Sequence, residues 1–304
     1  MLIGSQEGLG HLLLAAADHG DGICMTDVAY PSYFGAVQVA GLNPIYMPLS
    51  PEDHLPDFDR IDINQIRETK AKIMLLNYPN NPTSATADEA FFSKAIAFCK
   101  AHGLLLIHDA PYVDLTFESD HAVSPLSLSG GMDCCIELFS FAKSYHIAGF
   151  RLGFALGNKE AIAALESVKA PIDFNQYLGI QRMGITCLGL PRERVRRDAM
   201  VWKERALAMT TALKERAGWN VEMPRSCMYL WAKLPDNLST SDLEFCVKLV
   251  ENHGVAISPG GNFGPGGKGY VRFALVQPVD RLIEAAARIG SLCRELVRMK
   301  ETEV

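Results

Sequence analysis

Residues 137–157 read ELFSFAKSYHIAGFRLGFALG, and this stretch joins a buried strand to a group of reactive side chains. An apolar run ends at Ser140 and Lys143, and Arg151 follows eight residues after the lysine among small and apolar neighbours. A lysine in apolar surroundings is poorly solvated, which disfavours the ammonium form and lowers the pKa. The neutral amine is the nucleophile that an aldehyde cofactor requires. The alternative is a loop lysine whose stem packs on the core while its head reaches water.

On both sides of this stretch, short apolar runs alternate with polar turns and amphipathic segments. Strands are predicted at residues 22–25, 44–47, 72–76, 104–108, 136–139 and 152–156. Between two of them, Thr86 and Glu89 have the spacing of a capping box, which predicts a helix through His102 that Gly103 ends. The alternation predicts an α/β fold whose mostly parallel sheet carries helices on both faces.

Polar turns follow three of these strands, at residues 77–84, at residues 109–112 and before Lys143. In an open α/β sheet, ligands bind beyond the carboxyl ends of the strands. Rigid X-Pro steps in the first turn favour a fixed shape for this edge. We therefore expect a ligand site where these turns meet.

The chain is predicted to form two domains. Residues 1–190 would form a large three-layer αβα domain, and residues 191–304 a smaller α+β domain, with the boundary inside a long helix at 191–217. Pro191 is expected to start that helix. The basic cluster on its first turns is expected to face solvent, and comprises Arg192, Arg194, Arg196 and Arg197. A glycine-rich segment at 259–269 lacks the phosphate-loop patterns, and a flexible lid or a connection between strands is expected there.

Composition excludes several classes of function. The 304 residues are 48% hydrophobic and 21% charged, with a net charge of −6, which argues against nucleic-acid and anionic-membrane partners. The eight cysteines include no C-x-x-C pair and no zinc-site spacing, so we expect reduced thiols and no metal. With neither a basic leader nor a membrane-length apolar run, a cytoplasmic protein is expected.

Two N-terminal features suggest a ligand but also have ordinary explanations. Gly4, Ser5 and Gln6 precede a helix predicted at about residues 7–17, where free backbone N–H groups and the serine hydroxyl could bind phosphate. An ordinary helix cap would look the same. Tyr30 is held extended by the proline that follows it, so its ring could lie flat against a ligand or simply pack in the core.

The order of these motifs is more informative than any one of them. Gly-Ser-Gln before a helix, an aromatic residue before proline, Asn-Asn-Pro-Thr, Asp-Ala-Pro-Tyr, Ser-Phe-Ala-Lys and Gly-Phe-Arg-Leu-Gly follow one another along the chain. From Leu2 to the C-terminus the chain resembles the class I/II aminotransferases that depend on pyridoxal 5′-phosphate, which have fold type I. It looks most similar to the branch that contains LL-diaminopimelate and alanine aminotransferases.

The resemblance implies a role for each catalytic group. Lys143 would hold the cofactor covalently and, once released by substrate, move a proton between the substrate and the cofactor. Asp109 would pair with the pyridine nitrogen and keep it protonated. Tyr112 and Asn81 would donate hydrogen bonds to the ring hydroxyl oxygen.

Binding roles follow in the same way. Tyr30 would stack on the ring, and Arg272 would bind the substrate α-carboxylate. The phosphate would be held by the turn of Gly4, Ser5 and Gln6 together with Ser140 and Arg151. The family forms its active sites across a dimer interface, so a homodimer is implied.

The chain departs from the family pattern in three places. Ser84 replaces the usual glycine after Pro-Thr, and Ala142 replaces the common serine or threonine before the lysine. A family segment that normally precedes the Gly-Ser turn is absent from this sequence. Leu2 and Ile3 are too short to form a strand of their own, so we expect an open substrate side and weakened transaminase activity.

Three functions are compatible with these motifs. The first is transfer of an amino group between an amino acid and a 2-oxo acid by a ping-pong mechanism. The second is β-elimination or ring closure by an enzyme of the same fold and cofactor. The third is a non-catalytic pyridoxal-phosphate-binding homologue, although every residue that the chemistry demands is present and no helix-turn-helix segment is recognisable.

Overall fold

A mostly parallel sheet forms the centre of the N-terminal part of the chain. The computed structural model describes residues 1–119 and 121–302. The sheet has six strands: β1 (Gly22–Thr26), β2 (Asn43–Met47), β3 (Ile73–Leu76), β4 (Leu105–Asp109), β5 (Cys135–Ser140) and β6 (Gly153–Gly157). Their order is β2-β1-β3-β4-β5-β6, and only β6 runs antiparallel to its neighbour. The predicted sheet is confirmed.

Helices cover both faces of this large sheet, as the buried strands require. Those that precede the second part of the chain are α1 (Ser5–Ala16), α2 (Pro31–Val39), α3 (Ile63–Glu68), α4 (Glu89–His102), α5 (Gly131–Cys134), α6 (Phe141–Ser144), α7 (Lys159–Ile172) and α8 (Leu178–Leu188). Apolar residues of α1, α2 and α7 share one core with the sheet. Residues of α3 and α4 share a second core on the opposite face. The α/β class and its three layers are therefore present.

A small antiparallel sheet and three long helices form the C-terminal part. The elements are α9 (Arg192–Ala217), β7 (Tyr229–Lys233), α10 (Asp242–His253), β8 (Ser258–Pro259), β9 (Tyr270–Ala274) and α11 (Val279–Thr302). The strand order is β7-β9-β8. The buried side chains of α9 pack in the same core as this small sheet, through Ala199, Trp202, Ala206, Met209, Ala212 and Leu213.

Several local predictions were wrong. Asp88, not Thr86, caps α4, because its carboxylate accepts a hydrogen bond from the Phe91 N–H at 2.8 Å. The helix α7 extends to Ile172 and includes Pro171, a residue that usually ends a helix. Helix α3 was not predicted at all.

Other corrections concern the C-terminal part. Pro191 is the N-cap of α9 and not its first residue. Arg196 does not simply face solvent, because its guanidinium donates to the carbonyl groups of Phe117 and Ser119. The glycine-rich segment connects β8 to β9 through short 3-10 turns. Within the described part of the chain, no helix has the length and hydropathy needed to cross a membrane.

Candidate active site

Lys143 lies at the carboxyl end of β5, in the single turn of α6. Ser140 ends the strand and caps the turn, accepting a hydrogen bond from the Ala142 N–H at 3.2 Å. The lysine is half-buried. Burial lowers the pKa of Lys143 below its ordinary value, and the positive charges of Arg272 and Arg151 lower it further. The structure thus provides the poorly solvated amine that the sequence predicted.

Asp109 is the last residue of β4, and its carboxylate faces the same pocket. The Tyr33 hydroxyl donates to its Oδ2 at 2.6 Å. Its Oδ1 is buried and has no hydrogen-bond partner among the described residues. Burial raises the pKa of Asp109, while the hydrogen bond from Tyr33, the nearby Ser5 hydroxyl and the charge of His108 oppose that rise. Burying a carboxylate oxygen without a hydrogen-bond partner costs free energy. The site therefore favours a ligand that brings a cationic or N–H-bearing group to this oxygen.

The turn of Gly4 and Ser5 is held against the sheet by backbone pairing. Leu2 pairs with Gly153 through two hydrogen bonds of 2.9 and 3.0 Å, which anchors the turn although Leu2 forms no strand. A Cβ on Gly153 would lie 2.5 Å from the Phe139 carbonyl oxygen and 3.1 Å from the Ser5 nitrogen, so only glycine fits here without a shift of the backbone. Gly4 adopts φ 80, and a Cβ there would meet the Arg151 guanidinium at 2.5 Å. The helix start and Arg151 therefore face the same space.

The carboxylate of Glu7 supports this turn from the first turn of α1. It accepts a hydrogen bond from the Ile3 N–H at 2.9 Å. Together with His11 and Asp173 it forms a group of potential metal ligands. The Lys169 ammonium already bonds to Asp173 at 2.6 Å and to Glu7 at 3.3 Å, so the group holds a cationic side chain and joins α1 to α7.

The loop at residues 77–84 carries amide side chains into the pocket. Asn77 donates to the Asp109 carbonyl at 2.7 Å and, through its oxygen, accepts from the Asn81 N–H at 2.9 Å. The Asn81 amide group lies 3.4 Å from the Tyr112 hydroxyl. These bonds fix the loop relative to the end of β4.

Arg272 reaches the pocket from β9 of the small sheet. Its guanidinium donates to Asn81 Oδ1 at 2.8 Å and lies between the rings of Tyr229 and Phe263, 4.5 and 4.7 Å from their centroids. The Tyr229 hydroxyl is 3.1 Å from that of Tyr112. Arg272 is therefore held in a fixed orientation, with its buried Nε without a partner among the described residues.

A buried polar network lies behind the pocket. His108 Nδ1 is 2.8 Å from Glu137 Oε1, and its Nε2 is 2.8 Å from the Tyr78 carbonyl. The Ser124 hydroxyl donates to the other oxygen of Glu137. The network joins β4, β5 and the loop at 77–84, so the segments that carry Asp109, Lys143 and Asn81 are fixed to one another.

One cavity collects nearly all of the residues predicted from the sequence. It is lined by Ser5, Gln6, Tyr30, Asn81, Asp109, Tyr112, Ser140, Lys143 and Arg151. Gly4 lies against Arg151, and Arg272 contacts Asn81. Three further lining residues with polar side chains were not predicted: Tyr33, Asn77 and Tyr229. Tyr33 lies in the first turn of α2, which Tyr30 caps, and the two ring centroids are 5.7 Å apart, so its position close to Tyr30 in the sequence could have suggested it.

Comparison with known proteins shows the class to which this fold and site belong. The family model for aminotransferase class I and II matches residues 1–289. The chain therefore belongs to this family and is an aminotransferase, as the order of the motifs predicted. The fold is fold type I of the pyridoxal-phosphate-dependent transferases, which confirms the predicted fold class.

Individual relatives are similar over almost the whole chain. The LL-diaminopimelate aminotransferase of Aquifex aeolicus is 38% identical over 292 residues, covering 96% of this chain and 74% of that protein. The glutamate-pyruvate aminotransferase AlaC of Escherichia coli is 37% identical, covering 96% and 71%. A solved structure described as a probable N-succinyldiaminopimelate aminotransferase from Thermus thermophilus is 54% identical with a TM-score of 0.90, covering 95% of this chain and 76% of that one.

Proposed function

We propose that pyridoxal 5′-phosphate is the cofactor and binds in the cavity that contains Lys143. The observation that carries the proposal is the buried, unpartnered Oδ1 of Asp109, which faces the cavity that also holds a poorly solvated lysine. A protonated pyridine nitrogen would satisfy that oxygen and lower the pKa of the carboxyl group. Phosphate fits the start of α1, where N–H groups and the Arg151 guanidinium face the same space.

The roles of the other side chains follow from their positions. Bound there, pyridoxal phosphate supplies an aldehyde that condenses with amines and a ring that accepts electrons from the substrate Cα. Lys143 holds the aldehyde carbon and afterwards moves the proton. Tyr112 and Asn81 donate to the ring hydroxyl oxygen, Ser5, Gln6 and Ser140 bind the phosphate, and Tyr30 covers the ring.

Arg272 binds the α-carboxylate of the substrate. Its planar fork suits a carboxylate, and the rings of Tyr229 and Phe263 lie 4.5 and 4.7 Å from the guanidinium and hold it in place. Asn81 Oδ1 accepts from Nη1 at 2.8 Å and the Ser258 hydroxyl from Nη2 at 3.4 Å, while Nε has no partner among the described residues. This position, between the small sheet and the loop at 77–84, orients the substrate Cα towards Lys143.

The reaction is transfer of an amino group between an amino acid and a 2-oxo acid by a ping-pong mechanism. The names of the relatives suggest L-alanine, L-glutamate and LL-diaminopimelate as the first amino donors to test. With cofactor bound, a donor alone should change the visible spectrum stoichiometrically, and added 2-oxoglutarate or pyruvate should restore it. Amino-acid breakdown without a 2-oxo acid would instead indicate elimination or ring closure, and no spectral change with any donor would contradict the proposal.

The protein acts as a cytoplasmic homodimer with two domains divided at the start of α9. Support for the dimer comes from large apolar side chains that the single chain exposes around α8: Phe174, Tyr177, Leu178, Ile185 and Leu188. Support for the division comes from α9, whose buried residues pack in the core of the small sheet. Sedimentation equilibrium of the full chain tests the dimer, and a monomer at micromolar concentration would contradict it.

In Tyr33→Phe, cofactor binding should be lost on acidification at a higher pH than in wild type. Removing the hydroxyl that donates to Asp109 raises the pKa of that carboxyl group further, because the ionised form loses a hydrogen bond worth about 1.5 kcal/mol. Binding requires the ionised carboxylate and is lost as the pH falls through the pKa of Asp109. A higher pKa therefore moves this loss of binding to a higher pH. Dissociation constants measured between about pH 5 and 8 check this, with the exposed Tyr46→Phe as control. Superimposable pH profiles for the two variants would contradict the assigned role of Tyr33.

A further inference from the structure

Two buried serines join the active-site loop to the small sheet. The Ser84 hydroxyl, at the end of the loop at 77–84, donates to the Tyr229 carbonyl at 2.9 Å. In return, the Ser226 hydroxyl donates to the Ser84 carbonyl at 2.8 Å. Both serines are buried, with Ser84 1% and Ser226 0% exposed. We call this pair of reciprocal hydrogen bonds the serine joint.

The backbone of the serine joint has an unusual conformation on both sides. Ser84 has φ 58 and Cys227, next to Ser226, has φ 63. This left-handed region is disfavoured for residues with a Cβ, whereas glycine adopts it freely. Ser84 thus places a hydroxyl where glycine would fit without strain, and both its hydroxyl and its carbonyl are hydrogen-bonded across the joint.

The two sides of the joint carry the two halves of the proposed substrate site. Asn81 lies three residues before Ser84 in the same loop. Tyr229, whose carbonyl receives the Ser84 hydroxyl, stacks on Arg272 and reaches the Tyr112 hydroxyl. A shift at the joint would therefore change the distance between Arg272 and Asn81, which is 2.8 Å from Nη1 to Oδ1.

We propose that Ser84 is a positioning residue: its hydroxyl keeps the small sheet against the loop at 77–84, so that Arg272 meets the substrate carboxylate in register with Lys143. The hydroxyl acts through Tyr229 and touches neither substrate nor cofactor. The inference rests on the proposed function, in which Arg272 binds that carboxylate.

The thiol of Cys227 reports directly on the joint. It is fully buried there, with its Sγ 3.7 Å from the Asn80 carbonyl, and burial raises the pKa of Cys227 to about 12. It should therefore react with iodoacetamide only when the joint opens. In Ser84→Ala, labelling of Cys227 in the cofactor-loaded enzyme should be about fivefold faster, the effect of one buried hydrogen bond.

Controls within the same protein separate this effect from general loosening. Cys24 in the large sheet and Cys246 in α10 should keep their wild-type labelling rates. Ser167→Ala removes a serine hydroxyl from the exposed face of α7, where it donates to the Ala164 carbonyl at 2.7 Å, and should leave Cys227 unchanged. Equal rates at Cys227 in Ser84→Ala and wild type would overturn the proposal, as would parallel increases at all three cysteines.

The variant Ser84→Gly distinguishes the effect of losing the hydroxyl from the effect of backbone strain. Glycine removes the strain together with the hydroxyl, so labelling of Cys227 should rise in this variant too. A wild-type rate in Ser84→Gly beside a raised rate in Ser84→Ala would assign the effect to backbone conformation and overturn the proposal.

The positioning role has its own readout. The concentration of L-glutamate that half-converts the visible spectrum should rise about fivefold in both variants, while the dissociation constant for pyridoxal phosphate stays unchanged. Faster labelling of Cys227 without any change in L-glutamate affinity would show that the joint is purely structural. It would overturn the positioning role of Ser84. If wild type gave no spectral change with L-alanine, L-glutamate or LL-diaminopimelate, the proposed function would fail, and Cys227 labelling would still decide whether the Ser84 hydroxyl closes the joint.

Discussion

Replacing Lys143 with alanine should abolish the visible absorption of covalently bound pyridoxal phosphate and reduce transamination by roughly a thousandfold or more. The covalent attachment is lost, and with it the group that transfers the proton, which alone contributes about a hundredfold to ten-thousandfold. Among the described residues that line the cavity, Lys143 is the only lysine. No other amine is therefore placed to substitute for it.

The control for this variant is Lys203→Ala, which removes an exposed lysine from α9. Both proteins should fold, as judged by their thermal unfolding midpoints, but only Lys203→Ala should retain the absorption band. Borohydride reduction followed by peptide mapping identifies the attached residue in wild type. Modification of a different lysine, together with a persisting band in Lys143→Ala, would move the active site elsewhere.

The main features of the fold could be predicted because the parallel strands are nearly continuous apolar runs. The fully buried β3, for example, reads Ile-Met-Leu-Leu. Parallel strands also bring their carboxyl ends to one edge, so residues distant in sequence could be expected to meet. Asp109 after β4 and Lys143 after β5 line one cavity for this reason.

The sequence could not reveal how neighbouring strands align with one another, or which of two suitable residues caps a helix. His108 pairs with Glu137 because β4 and β5 align those two positions, and no local pattern encodes that alignment. Thr86 and Asp88 are both good N-cap residues, and only the path of the chain into α4 gives the position to Asp88.

The serine joint could not be predicted from the sequence either. Ser84 lies at the end of a turn, and the partner of its hydroxyl is the carbonyl of Tyr229, far along the chain. Tyr229 lies in an apolar strand, and no sequence motif marks it as a residue of the site. Its contacts with Arg272 and Tyr112 arise only when β7 and β9 pair beside the loop at 77–84.

Asp109→Asn tests the electrostatic role of the carboxylate without removing its shape. Tyr33 donates to Oδ2, so an asparagine would place its oxygen there and turn its amide group towards the ring nitrogen. The side chain would then offer a hydrogen-bond donor where the wild-type carboxylate offers a negative charge. Such a donor can pair only with an unprotonated ring nitrogen.

The amino-acid half-reaction of Asp109→Asn should be slower by about a thousandfold, while pyridoxal phosphate stays bound through Lys143 and the phosphate site. A buried carboxylate that holds a proton at the ring nitrogen lowers the barrier by roughly 4 kcal/mol, since its charge acts in surroundings that exclude water. Stopped-flow absorbance with excess L-glutamate measures the rate. Asp114→Asn, which breaks the 2.7 Å ion pair with Arg192 outside the cavity, should lower the unfolding midpoint without this loss. A decrease of less than tenfold in Asp109→Asn would mean that the protonated ring nitrogen is not what draws electrons from the substrate.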